Sequence, residues 1–97
     1  MPGMPAVSYV ALSGTVSGRV QAVAFRWFTA RAAARIGVTG WVRNLRDGRV
    51  ELLVQGSPDA VAAMRDFLTG GPPAAHVESI DLQPVDIDPA LRRFEIR

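Results

Sequence analysis

The apolar residues of this 97-residue chain change period from two to three-and-four and back, twice over, and that alternation restricts the fold more than any bulk property. Over residues 8–14, Val10 and Leu12 alternate with Tyr9 and Ser13, the period of a strand, and the chain then enters the glycine-containing loop Ser17-Gly18-Arg19-Val20-Gln21-Ala22-Val23-Ala24. From Phe25 the apolar positions become Phe25, Phe28, Ala32 and Ile36, a helix with one buried face, closed by Gly37 at the C-cap. Residues 38–44 read as a second strand. Val50, Leu52 and Val54 alternate with Arg49, Glu51 and Gln55 as a third, with a turn over 44–48 between them. Ser57-Pro58-Asp59 is a helix start with serine as N-cap and proline at the first helical position; Val61, Met64 and Leu68 supply its apolar face, and Gly70-Gly71-Pro72-Pro73 ends it. A fourth strand is expected over 77–85 with Ile80 and Leu82 inward, and a short one over 93–97 carrying Phe94 and Ile96.

Strand-helix-strand repeated is the split βαβ arrangement: an α+β ferredoxin-like sandwich (βαββαβ), expected as an antiparallel sheet with two helices on one face. One domain spans residues 7–97, behind a flexible tail at 1–6 that has two prolines and no positive start and so does not read as a secretory signal. No run approaches the ~18 apolar residues of a membrane-spanning helix, so the expectation is a cytoplasmic protein with no membrane partner. This architecture hosts enzymes, regulatory domains and RNA binders, and leaves function open.

Charge is distributed unevenly. Residues 1–46 hold six arginines (Arg19, Arg26, Arg31, Arg35, Arg43, Arg46) and no acid, whereas residues 47–97 hold nine acids against five arginines. The first half should therefore attract an anion. All the basic residues are arginine, whose planar fork suits phosphate, although base composition can produce the same bias. Cysteine is absent, which removes disulfide and thiol chemistry, and a single histidine, His76, cannot build a histidine-based metal site. The expectation is no metal and no cofactor.

The anion has a candidate location. Ala22, Val23 and Ala24 offer no side-chain oxygen to the first N–H groups of the helix beginning at Phe25, so those donors take either water or a bound anion reached through the glycine loop. Arg26, in the first turn, is set against the helix dipole, a cost that a shared anion would reverse; the alternative is an arginine lying along the surface. Arg19 and Arg43 are nearby but read first as solvated. Asn44, where the second strand meets its turn, is either a local turn residue or an amide able to orient a water molecule. Trp27, Phe28 and Trp41 are either stacking platforms or packing residues, and His76 a surface or strand-edge residue.

These residues also resemble a known family. Gly18-Arg19-Val20-Gln21, Val23, Phe25-Arg26, Thr29 and Gly37, followed by Gly40-Trp41-Val42-Arg43-Asn44, Asp47-Gly48, Val50 and Glu51, are similar to the acylphosphatase signature, with element order matching from about residue 8 to 97. The resemblance implies a metal-independent hydrolase that cleaves the carboxyl–phosphate bond of small acyl phosphates. It implies that Arg26 binds the substrate phosphate together with the backbone amides of Arg19, Val20, Gln21, Ala22 and Val23, and that Asn44 positions the attacking water. A small-molecule substrate, no nucleic acid and a monomer are expected; the alternative is a noncatalytic module binding RNA or an anionic effector. One departure stands out: the family loop usually carries glycine where this chain has Ala22, and a positive φ there would cost alanine about 1–2 kcal/mol.

Overall fold

The computed structural model describes residues 8–21, 24–71 and 75–97. The elements follow in the order β1 (Val10–Arg19), α1 (Phe25–Ile36), β2 (Thr39–Asn44), β3 (Val50–Gly56), α2 (Pro58–Gly70), β4 (His76–Val85) and β5 (Phe94–Ile96). The strands form one sheet in the order β4-β1-β3-β2-β5. Leu12 and Val16 of β1 and Val50, Leu52 and Val54 of β3 share one face of the sheet, and α1 and α2 pack there. Phe25, Leu52, Met64 and Leu68 are the large side chains buried between the layers, each contributing about 1.5–3 kcal/mol of transfer free energy.

Three of the four strand pairings are antiparallel, as expected, but β5 runs parallel to β2, with Gly40 opposite Phe94 and Val42 opposite Ile96, so the sheet is mixed. The reason lies in where β4 ends. Ala11 at the start of β1 faces Val85 at the end of β4, and Gln55 near the end of β3 faces Thr39 at the start of β2. The connection 86–93 therefore crosses that end of the sheet and delivers β5 beside the start of β2, where the Gly40 amide donates to the Arg93 carbonyl at 3.1 Å. Gln55 alternates with the core residues and by period alone should face solvent, yet it is only 4% exposed. Its amide group clasps the crossing chain, donating to the Asp88 carbonyl at 2.8 Å and accepting from the Asp88 amide at 3.0 Å, so its burial leaves neither group unpaired.

β1 also runs further than its apolar pattern indicates. Gly18 and Arg19 pair with Val77 and His76 of β4 after a bulge at Ser17/Gly18, so Arg19 belongs to a strand and the loop to α1 shortens accordingly. Gly18 makes this possible: its φ is +128°, and a Cβ there would stand 2.0 Å from the His76 carbonyl oxygen. No helix among the described residues is long and apolar enough to cross a membrane.

Candidate active site

α1 begins without a side-chain cap. Ala24, its N-cap residue, sits at φ 57° and ψ 33°, the left-handed region, and no acidic residue occupies the first turn. Ala24 is the one non-glycine residue with positive φ among those described, a conformation costing alanine about 1–2 kcal/mol. Ala22, where a positive φ would be costly, lies outside the described residues, as do the amides of Ala22 and Val23. The helix start thus combines N–H donors that have no side-chain cap among the described residues, a positive dipole end and backbone strain.

Arg26 projects from that turn and is half-buried. Its Nη1 donates to the backbone oxygen of Arg97 at 2.9 Å, while the Arg97 amide donates to the Val42 carbonyl at 2.8 Å. The guanidinium is thereby held beside the end of β2, and its remaining donors have no hydrogen-bond partner among the described residues. A cavity of ≈ 140 Å³ lies at this point, lined by Gln21, Ala24, Phe25, Arg26, Trp27 and Ile96.

Asn44 ends β2 opposite Val50, and by strand alternation its side chain shares the helix-facing side with buried Val42. It is exposed and its side chain makes no hydrogen bond among the described residues, although it stands outside the lining of the cavity at Arg26. The turn after it is braced. Asp47 accepts from the Arg49 amide at 3.1 Å and from Arg49 Nε at 2.8 Å, and the amide bond first, then the guanidinium, holds its carboxyl below the usual value. Gln21 then joins turn to loop, Nε2 donating to the carbonyls of Leu45 at 2.6 Å and Arg49 at 2.8 Å. The loop before α1 and the turn after Asn44 are therefore one connected unit.

The other candidates lie elsewhere. Arg43 points to the opposite sheet face, where its Nε donates to Glu51 at 2.6 Å. The guanidinium groups of Arg43 and Arg97 stand 5.3 and 5.2 Å from the Trp41 ring, and both arginines also pair with carboxylates. Trp27 meets Phe28 edge-on and carries Arg31 over its face at 4.8 Å. Arg19 and His76 are exposed partners across β1 and β4. Among the described residues no three His, Cys, Asp or Glu side chains gather as a metal-holding group.

A family model described as Acylphosphatase matches residues 12–96. The chain belongs to the acylphosphatase family. A relative named acylphosphatase from Halorhodospira halophila is 57% identical over 82 residues, which covers 84% of this chain and 88% of the relative. Among solved structures, the chain is similar to an acylphosphatase from Bacillus subtilis (TM-score 0.85, 32% identity, covering 93% of this chain and 99% of that one). It is also similar to an acylphosphatase from Coxiella burnetii (TM-score 0.86, 34% identity, covering 92% and 93%).

Within this acylphosphatase domain, three parts of the site carry no local sequence signal. The Arg97 backbone oxygen meets Arg26 across 71 positions, and Gln21 reaches Leu45 across 24, separations that no periodicity reveals. The left-handed Ala24 is equally silent, because alanine there looks like an ordinary first-turn residue. Gln21 was legible only as a member of the loop.

Proposed function

We propose that this chain hydrolyses the carboxyl–phosphate bond of small acyl phosphates, with Arg26 and the amides of the loop before α1 holding the phosphoryl group and Asn44 holding the attacking water. Family membership supports the activity. The observation that carries the role assignment is the half-buried Arg26 guanidinium, fixed by one bond to Arg97 at an uncapped, dipole-positive helix start. A phosphoryl group seated there would take the free donors of the arginine fork and the unsatisfied backbone amides together.

The chemistry needs little more. Water oxygen attacks phosphorus in line, the bond from phosphorus to the acyl oxygen breaks, and the carboxylate leaves with the bonding pair. A carboxylate is a weak base and departs unprotonated, so no general acid is required, and the water's proton passes to the phosphoryl oxygens. Positive charge at Arg26 and the amides stabilises the negative charge on those oxygens in the transition state. Asn44, free of other hydrogen bonds among the described residues, can accept from the water and orient it. Arg26 supplies the field that a divalent ion would otherwise provide, so the reaction proceeds without metal.

The domain acts as a cytoplasmic monomer in this reading, its site assembled from one chain; sedimentation tests the monomer. The deciding experiment is hydrolysis of benzoyl phosphate or acetyl phosphate with EDTA present. Turnover unchanged by EDTA is expected. Absence of turnover, or turnover lost to EDTA and restored by one divalent ion, contradicts the proposal.

A further inference from the structure

A second cavity, of ≈ 340 Å³, lies on the same side of the domain, lined by Ala30, Ala33 and Ala34 of α1, Phe94 of β5, and Arg92 and Arg93 just before it, among others. It shares the α1–β5 seam with the cavity at Arg26. Because Arg26 at the start of α1 bonds Arg97 at the end of β5, helix and strand run in opposite directions, and Ile96 faces the helix start while Phe94 lies further along it. The separation is short: Arg26 to Ala34 spans about 12 Å of helix, and Ile96 to Phe94 about 7 Å of strand. Ala30, Ala33 and Ala34, at helical spacing on one side of α1, present only methyl groups to this cavity, where a larger side chain would fill it.

The far end carries unmatched charge. Arg92 and Arg93, both exposed, pair with no carboxylate among the described residues, as is also true of Arg31 and Arg35 on α1. The seam therefore has an anion-binding end at Arg26, an apolar middle at Ile96, Ala30 and Phe94, and a second cationic end at Arg92 and Arg93.

We propose that this seam is the acyl subsite and that it selects acyl phosphates whose aliphatic chain ends in a carboxylate, which Arg92 and Arg93 bind. The inference rests on the hydrolase reading above. The phosphoryl group sits at Arg26, the methylene chain lies against Ala30 and Phe94, and the distal carboxylate takes the arginine forks.

The test compares adipyl monophosphate with hexanoyl phosphate, equal in carbon count and differing in the terminal charge, with acetyl phosphate measured alongside. The wild-type protein should favour the adipyl over the hexanoyl substrate in kcat/KM about tenfold at low ionic strength, and this preference should shrink toward parity in about 0.5 M salt. Replacing both arginines (Arg92→Gln with Arg93→Gln) should abolish the preference, and each single replacement should reduce it, with melting temperature confirming the fold. Ala30→Leu should lower kcat/KM for both long substrates more than for acetyl phosphate. Equal rates for the two long substrates in the wild type, or a preference that survives loss of both arginines, would overturn the subsite. No turnover of acetyl phosphate by the wild-type protein would instead overturn the hydrolase reading and the subsite with it.

Discussion

The two helices of this domain begin in opposite ways. α2 starts at Ser57, whose Oγ accepts from the Ala60 amide at 3.2 Å, with Pro58 in the first turn and Asp59 complementing the dipole. α1 starts at a left-handed Ala24 with no side-chain cap, no acid in its first turn, and Arg26 set against the dipole. Both helices pack on the same sheet face and both bury one apolar side, so the core does not require the difference. The start of α2 is built to be stable by itself. The start of α1 leaves its acceptors to be supplied from outside the helix, as the proposed phosphate site requires.

The largest effect expected from this contrast is at Arg26. Arg26→Lys keeps the charge but removes the fork, and kcat/KM should fall about 10²–10³-fold. A value near wild type, with an unchanged melting temperature, would erase the distinction between the two helix starts. Asn44→Ala comes next: kcat should fall about 10²-fold, because a misplaced water loses its in-line approach, while inhibition by inorganic phosphate changes far less. Equal losses in both would make Asn44 a structural turn residue.

Two smaller changes separate stability from activity. Ser57→Ala should lower stability by about 1 kcal/mol, read by urea denaturation, and leave kcat/KM unchanged, since the α2 start lies outside the proposed site. Ala24→Gly should raise stability by about 0.5–1 kcal/mol, the relief of left-handed strain less the added freedom of the unfolded chain. A loss of stability at Ala24→Gly would show that the left-handed turn is unstrained.

The same contrast explains what was legible in the sequence. The start of α2 is a local code, serine then proline then aspartate, and it reads directly; so do the Gly37 cap and the alternation of Val50, Leu52 and Val54. The placement of Arg26 at a helix start and of Asn44 at a strand end was legible. What holds them was not, because the Arg97 oxygen and the Gln21 clasp are brought in by the tertiary fold. The parallel β5 follows from the crossing of 86–93 over the sheet end and the burial of Gln55 beneath it, neither of which a two-residue period encodes. Arg19 looked like a loop residue because the strand continues through Gly18, usually a stop signal, by means of a bulge.

The central claim is that the start of α1 is a phosphate site and the start of α2 is not. Amide chemical shifts followed by NMR during titration with inorganic phosphate, EDTA present, test it most directly. The account predicts saturable shifts for residues 19–27, including Phe25, Arg26 and Trp27, no shift at Ala60, and affinity weakened about tenfold in Arg26→Lys. Saturable shifts at Ala60 equal to those at Phe25, or none in either helix at concentrations that saturate inhibition of turnover, would contradict it.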